Sequence, residues 1–219
     1  MKTQLITLAA SAMLLVACGP TEAEIQAAKA KATADSLASL AATERIAHID
    51  SDASNVNWTG TMLGIKKHYG IVRITEGKLA FKGPLVTGGS FAVDLNTIAP
   101  QDDANYQYSP EGSEKNTKSM LTGHLKSGDF FDVANHPTAS FEITRVEGNT
   151  AYGNLTVRGQ THEEKVTDIN VSEEGGSVTA TGNLTFNRQK YGVAWGTGAK
   201  DAVLSDDINL SIKLSGKVS

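Results

Sequence analysis

The chain has 219 residues, of which 40% are hydrophobic and 20% charged, and it contains one cysteine. Its 20 Lys and Arg against 24 Asp and Glu give a formal net charge of −4. This balance excludes nucleic-acid binding as a function, because such binding needs clustered cations that displace counterions from phosphates. A lone cysteine also excludes internal disulfides, so stability must come from core packing.

The N-terminus predicts a signal peptide over residues 1–17. Lys2 is followed by an apolar run from Leu5 to Val16, which is too short to span a membrane as a mature helix. The sequence LVAC that ends at Cys18 resembles the bacterial lipobox, in which cleavage occurs before a diacylated cysteine. We therefore predict Cys18 as the lipid anchor; the alternative is a chance cysteine near an ordinary cleavage site.

An acylated Cys18 predicts the location of the protein. Two or three acyl chains hold a protein stably on a bilayer without crossing it. Gly19 stands where an aspartate marks retention in the inner membrane of two-membrane bacteria. We expect a protein of the bacterial cell envelope, lipid-anchored in the outer membrane, with the leaflet left open.

Residues 18–46 predict a helical tether. The segment is rich in Ala, Lys, Glu and Ser, and Thr21 precedes Glu24 at capping-box spacing. Its large apolar residues are too sparse for a sustained heptad seam. A coiled-coil segment that forms a homodimer is the alternative.

From residue 47 to residue 219 the hydrophobic period changes to two, which predicts strands with one wet face. In the last of them Ile208, Leu210, Ile212 and Leu214 share one face. Turn signals such as Gly83-Pro84 and Gly175-Gly176 separate the runs. Many short one-sided strands predict an all-β sandwich or a closed antiparallel barrel.

One stretch interrupts the strand pattern. Residues 102–112, with Tyr106 and Tyr108, read as an exposed loop, and residues 113–127 suit a short helix. A loop and helix inserted between early and late strands would lie across one end of a barrel.

Four blocks resemble the YceI-like family in order and spacing: VNWTGTMLGIKKHYGIVRITEGKLAF, GHLKSGDFFDVANHPTASFEITRV, GNLTVRGQTHEEKV and LTFNRQKYGVAW. The resemblance covers residues 47–219. It implies a lipocalin-like antiparallel barrel that holds a polyisoprenoid-type lipid. In the family, the segment matching Leu125 to Phe131 carries a short helix into a turn and the proline matching Pro137 begins the next strand, so Phe130 and Phe131 should lie where helix meets barrel.

A barrel of about eight strands leaves an interior that side chains can fill or that can hold one slender ligand. The aromatic residues predicted to contact an apolar lipid are Trp58, Phe81, Phe91, Phe130, Phe131, Phe141, Phe186 and Trp195. For each of them, plain core packing is the alternative. Small residues such as Gly60, Gly153, Ala180 and Gly182 would leave room.

Four basic residues are candidates for contacting the lipid's head group at the barrel mouth: Lys67, His68, Arg73 and Arg188. Arg can fork to phosphate oxygens in a way that Lys cannot. Solvated surface charge is the alternative for each.

The sequence argues against an enzyme and against a bound cofactor other than an isoprenoid lipid or quinone. It has no nucleophile-elbow serine and no glycine-rich phosphate loop. His124, Asp129, Asp132 and His136 lie close together in the sequence, but scattered loop histidines give zinc no clear tetrahedral set. No metal site is predicted.

The predicted function is a membrane-anchored envelope lipoprotein whose barrel binds an isoprenoid-type lipid, either a polyprenyl compound or a quinone, for carriage, storage or sensing. The alternative is an envelope adaptor or structural protein whose barrel is filled by its own side chains and whose surface binds a protein partner.

Overall fold

The structure, a computed structural model, describes residues 19–62, 66–101, 118–196 and 204–219. The chain divides into two units, Met1–Ser39 and Leu40–Ser219. The predicted signal peptide, Cys18, the loop with Tyr106 and Tyr108, and the first part of the predicted helix at residues 113–117 lie outside the described residues.

The predicted tether is helical. Helix α1 spans Glu22–Ala42, about 30 Å at 1.5 Å per residue. Its start has the predicted capping box: the backbone N–H of Thr21 donates to Oε2 of Glu24 at 2.6 Å, and the Glu24 N–H donates to Oγ1 of Thr21 at 3.3 Å. The bond from the Thr21 backbone N–H and, next, one from the Thr21 hydroxyl to the same carboxylate oxygen lower the pKa of Glu24. No helix of the described chain is both long and apolar enough to cross a membrane.

Nine antiparallel strands and one further helix make up the described part of the second unit. The strands are β1 Arg45–Ile49, β2 Asn55–Met62, β3 Lys66–Lys82, β4 Leu85–Pro100, β5 Thr138–Glu147, β6 Thr150–Val157, β7 Gln160–Glu174, β8 Ser177–Asn187 and β9 Leu204–Val218, and helix α2 is Lys118–Lys126. β1 begins at Arg45, so two residues of the predicted tether belong to a strand.

The strands close into a barrel with eight strand positions. Consecutive strands pair from β2 through β9, and β2 pairs with β9 to complete the ring. β1 and β2 share one position: β2 lies between β3 and β9 in one half, and β1 lies between the same two strands in the other half. The prediction of a closed antiparallel barrel with an inserted helix is confirmed.

The barrel has two distinct ends. At the first, called the hairpin end, tight turns join β3 to β4, β5 to β6 and β7 to β8, and β1 begins. At the second, called the helix end, α2 packs against β4, and strands β3, β5, β7 and β9 begin. The alternating inner faces form one continuous hydrophobic core between these ends.

The junction between α2 and β5 follows the predicted pattern. The backbone N–H of Phe131 donates to the carbonyl of Leu125, which folds the chain back under the helix. Phe130 and Phe131 are both buried there, and β5 begins at Thr138, directly after Pro137. Because a residue before proline is disfavoured in the helical region, this step ends the turn and starts the strand.

Candidate functional site

A cavity of about 500 Å³ occupies the inside of the barrel. Every strand from β2 to β9 contributes to its wall, and α2 contributes Met120, Leu121, His124 and Leu125. Ile208, Leu210, Ile212 and Leu214 all line it, as the period-two pattern of β9 predicts. Its volume lies within the roughly 300–1,000 Å³ range typical of small-molecule pockets.

Most of the predicted aromatic contacts line this cavity. They are Trp58, Phe91, Phe130, Phe131, Phe141, Phe186 and Trp195. The structure thus brings together aromatic residues from six separate segments of the chain, which makes them available to contact an apolar ligand. Whether they do so stays a prediction.

Phe81 is the predicted aromatic residue that does not line the cavity. It is fully buried near the hairpin end, and the guanidinium carbon of Arg45 lies 4.9 Å from the centre of its ring. Arg45 also forms a bidentate ion pair with Glu173 of β7. Phe81 therefore belongs to the packing beneath the cavity floor.

Solvent exposure indicates which end of the cavity is the mouth. At the hairpin end, Leu79 and Val86 line the floor and are 2% and 5% exposed. At the helix end, the lining residue Met120 is 52% exposed. Ligand access from the helix end is therefore the route that the described residues favour.

An aromatic cluster of His124, Phe130 and Trp195 lies beside this mouth. The ring of His124 meets Phe130 and Trp195 edge to face, with centroid distances of 4.9 and 4.6 Å. Phe130 and Trp195 are 5.7 Å apart. The cluster joins α2, the turn before β5 and the segment after β8 into one part of the cavity wall.

Trp58 on β2 forms another part of the wall, where a glycine makes room for it. Its indole N–H donates to the carbonyl of Ile71 at 3.2 Å. A Cβ on Gly70 would lie 2.6 Å from the Trp58 ring and 2.2 Å from the carbonyl oxygen of Ala99. Since real Cβ atoms essentially never come this close, only glycine fits at position 70 without movement of its neighbours.

The four small residues predicted to leave room inside the barrel differ in whether they line the cavity. Gly60, Ala180 and Gly182 line the cavity as predicted. Gly153 does not, because the ring of Phe141 lies 2.7 Å from the position of its missing Cβ. That glycine accommodates an aromatic side chain that itself lines the cavity.

Of the four predicted head-group residues, only His68 lines the cavity. Lys67 and Arg73 are exposed, on the outer face of β3, which alternates with the inward-facing His68, Val72 and Ile74. Their positions match the alternative of solvated surface charge.

The fourth predicted head-group residue, Arg188, is 3% exposed and bonds within the protein. Its guanidinium donates to the carbonyls of Val193, Trp195 and Ser205 and to the carboxylate of Asp206. Burial lowers its pKa, an effect that Asp206 opposes. Arg188 therefore holds the described residues after β8, as far as Trp195, against the start of β9, which positions Trp195 in the wall.

A second arginine, Arg158, plays a similar part on the other side of the helix end. It donates to the carbonyls of Gly128, Phe130 and Gly192 at 2.7–2.9 Å. Arg158 and Gly159 form the short turn between β6 and β7, and nothing in the local pattern distinguishes an arginine that bonds to two loops from a solvated one.

Tyr191 is another buried polar residue that local pattern did not single out. Its ring lies edge to face against His162 and Phe186, and its hydroxyl donates to Oε1 of Glu164 at 3.3 Å. Burial and, next, Glu164 raise the pKa of Tyr191 well above its usual range. It fixes the 3₁₀ turn Arg188–Tyr191 against β7.

Among the described residues no group of three or more His, Cys, Asp and Glu is placed to hold a metal ion. Of the cluster considered from sequence, His136 and Asp132 come within 4.0 Å of each other as a local pair. His124 points instead into the aromatic cluster at the cavity.

The YceI-like domain family matches residues 48–216. A UPF0312 protein from Staphylococcus aureus is 41% identical over 90 residues, which are 37% of this chain and 52% of that protein. One from Staphylococcus epidermidis is 32% identical over 77 residues, 32% of this chain and 44% of that protein. The chain thus spans about half the length of the curated relatives it matches.

Two solved structures are similar to this one. A polyisoprenoid binding domain from Saccharophagus degradans, implicated in plant cell wall breakdown, has 12% identity and a TM-score of 0.53, covering 81% of this chain and 100% of its own. BcnA from Burkholderia cenocepacia has 19% identity and a TM-score of 0.51, covering 77% and 99%. At these identities the similarity establishes the fold alone.

Proposed function

The chain belongs to the YceI-like domain family, and we propose that its barrel binds one isoprenoid-type lipid, a polyprenyl compound or a quinone, with the hydrocarbon chain inside the cavity. The observation that carries the proposal is the cavity of about 500 Å³, whose wall is built from apolar side chains on all eight strands of the ring.

The physical driving force is burial of the lipid chain. Each 100 Å² of apolar surface removed from water contributes roughly 2.5 kcal/mol. A long prenyl chain exposes several such areas, so binding stays favourable after the cost of ordering the chain. The similar fold of a polyisoprenoid binding domain supports the same class of ligand.

The protein is anchored in the bacterial envelope through acylated Cys18, in the outer membrane, and carries, stores or senses its lipid there. The support is the LVAC sequence followed by Gly19. A tether of which α1 is the described part would separate the anchor from the barrel. The barrel acts as a binding protein and performs no chemical step on the lipid.

The alternative, an adaptor with a solid barrel, finds less support. It needs an interior filled by side chains, whereas the cavity reaches from Leu79 at the floor to Met120 at the mouth. A protein partner on the outer surface is compatible with lipid binding and would not replace it.

Native mass spectrometry of purified residues 19–219, followed by organic extraction, tests lipid binding. We expect a discrete added mass that extracts as a prenyl lipid. Ala180 is buried in the cavity wall, so Ala180→Phe should fill the space and abolish the added mass. Asn154→Phe, on the exposed outer face of β6, is the matched control and should keep it.

Two results would contradict lipid binding inside the cavity. An apo mass for the wild-type protein, with no shift when quinones or polyprenyl alcohols are added, would contradict the proposal. So would an added mass that persists in a folded Ala180→Phe variant, because the ligand would then lie outside the cavity. Thermal unfolding of both variants checks that each is folded.

Metabolic labelling with a palmitate analogue tests the anchor separately. We expect label on the wild-type protein, fractionation with the outer membrane, and loss of both for Cys18→Ser. Label that persists in Cys18→Ser, or a wild-type protein found only in soluble fractions, would contradict the anchoring proposal and leave lipid binding unaffected.

A further inference from the structure

The described part of the cavity wall is apolar and also lacks acidic and basic side chains other than histidine. Within the described residues, no Lys, Arg, Asp or Glu lines the cavity. The side chains with polar atoms that face it are the two histidines, His68 on β3 and His124 on α2, together with the indoles of Trp58 and Trp195. Ser140 and Thr181 also border the cavity. They alternate along their strands with the inward-facing Phe141 and Ala180, so their side chains lie on the outer face.

Two arginines of the described helix end have their partners within the protein. The guanidinium of Arg188 donates to three carbonyls and to Asp206. That of Arg158 donates to three carbonyls that join two loops. Releasing either arginine toward a ligand would leave several carbonyl acceptors unsatisfied, which is costly wherever they are buried.

An anionic head group inside this cavity would therefore find no Lys or Arg countercharge among the described residues that line it. Moving an ionised group from water into an apolar site costs several kcal/mol unless it is paired and hydrogen-bonded. A carbonyl or hydroxyl pays a much smaller penalty, and a single hydrogen bond offsets it.

His124 offers such a hydrogen bond. A neutral imidazole has one donor and one acceptor nitrogen, which suits a hydroxyl or a carbonyl oxygen. Its ring is packed against Phe130 and Trp195, so its orientation is held without use of its nitrogens. It projects from α2, beside the exposed Met120 that marks the mouth.

We infer that the cavity selects lipids with an uncharged, hydrogen-bonding head group, such as a prenyl alcohol or a quinone, over prenyl phosphates, and that His124 contacts that head group at the helix end. The inference rests on the proposed function and adds the ligand's chemical class to it.

A matched ligand pair tests this selection: geranylgeraniol and geranylgeranyl monophosphate, which share one chain and differ only in the head. Both tryptophans of the protein line the cavity, so their fluorescence reports binding. Titrations below the critical micelle concentration of each ligand should show the alcohol binding at least about tenfold more tightly, equivalent to 1.4 kcal/mol.

The outcomes separate the two proposals. If the phosphate binds as tightly as the alcohol or more tightly, the selection is overturned while lipid binding in the barrel stands. If neither ligand changes the fluorescence or appears in native mass spectra, the proposed function fails and the selection fails with it.

The variant His124→Phe tests the role of the imidazole. Phenylalanine keeps an aromatic ring against Phe130 and Trp195 but removes both nitrogens. We expect the affinity ratio between geranylgeraniol and its hydrocarbon analogue without the hydroxyl to fall about fivefold or more, with the hydrocarbon's affinity unchanged. An unchanged ratio in a folded variant would overturn the contact with His124.

Discussion

The two ends of the barrel differ: the hairpin end carries the floor of the cavity, and the helix end carries its mouth. At the hairpin end, tight turns join the strands next to a floor that includes Leu79 and Val86, and Phe81 lies buried there with the guanidinium of Arg45, the partner of Glu173, over its ring. At the helix end, longer segments are held by arginines that donate to backbone carbonyls, and the cavity reaches the exposed Met120.

The difference shows how one fold provides both a floor and a mouth. At the hairpin end, strand pairing satisfies the hydrogen bonds of the backbone N–H and C=O groups. Few side chains are therefore needed there as hydrogen-bond donors to the backbone. In irregular segments, some backbone carbonyls accept no hydrogen bond from a neighbouring strand. Where these carbonyls are buried, side chains must donate the hydrogen bonds instead. Arg158 and Arg188 supply these donors at the helix end. The irregular segments there can therefore line a cavity of defined shape.

The largest expected effect comes from Arg188→Leu at the helix end. The change leaves the carbonyls of Val193, Trp195 and Ser205 without their donor, so we expect a loss of about 3–5 kcal/mol in the free energy of unfolding. Chemical denaturation measures it. Arg73→Gln, an exposed arginine on β3, is the control and should change stability by less than about 0.5 kcal/mol. Equal effects at the two sites would contradict the role assigned to Arg188.

Gly70→Val tests the close approach of Trp58 in the wall. The new side chain would displace the Trp58 ring or the Ala99 carbonyl, and overpacking of this kind costs about 1–3 kcal/mol. We also expect a shift in tryptophan emission and weaker binding of lipid. Gly123→Ala on α2 meets nothing within 4 Å and should be neutral or stabilising by up to about 1 kcal/mol. A fully stable Gly70→Val protein would rule out the close approach.

A double-mutant cycle on Arg45 and Glu173 tests the hairpin end. The side chains of this pair are only 15% and 25% exposed and its geometry is bidentate, so we expect a coupling of about 1–2 kcal/mol. The exposed pair Arg145–Glu147, at 44% and 64%, is the matched control, with a coupling below about 0.5 kcal/mol. Equal couplings would mean that Arg45 contributes no more than a surface charge.

The smallest effect is the pH dependence contributed by Tyr191. Its raised pKa means that the folded protein holds the phenolic proton more tightly than the unfolded chain, in which tyrosine titrates near about 10. This stabilisation is present below that pH and is lost as the pH rises above it, by at most about 1.4 kcal/mol per pH unit.

Tyr191→Phe should remove this part of the slope while retaining most stability at pH 7. Unfolding free energies at pH 9 and pH 10.5 for both proteins measure it, with Tyr69→Phe, an exposed tyrosine, as the control. Identical slopes for wild type and Tyr191→Phe would show that Tyr191 titrates normally in the folded protein.

Much of this architecture can be predicted from the sequence. The period of two in β9 identified the inward face that includes Ile208 and Leu214, and Gly83-Pro84 and Gly175-Gly176 marked two turns of the hairpin end. The capping box at Thr21 began α1, and seven of the eight aromatic residues chosen from the sequence line the cavity. These features follow from local pattern, because alternation decides which face of a strand is buried.

The head-group candidates show where local pattern fails. In the sequence, nothing distinguishes Arg188 from a solvated surface charge. Its acceptors, the carbonyls of Val193 and Ser205, come within hydrogen-bonding distance only in the folded structure. Arg45 fell in the predicted tether, and its partner Glu173 is 128 residues away. No local signal specifies such pairings.

By itself, the sequence determined that the strands are one-sided, which faces point inward and that the interior is apolar, because these depend on periodicity and turn residues within a few positions; the choice of a barrel over a sandwich came from the resemblance to the YceI-like family. The tertiary structure alone decided that the barrel is hollow, that the described residues favour a mouth at the helix end, and that Arg158 and Arg188 bond to backbone carbonyls. Those properties depend on how side chains from distant segments fill or leave space and find partners, which no single segment encodes.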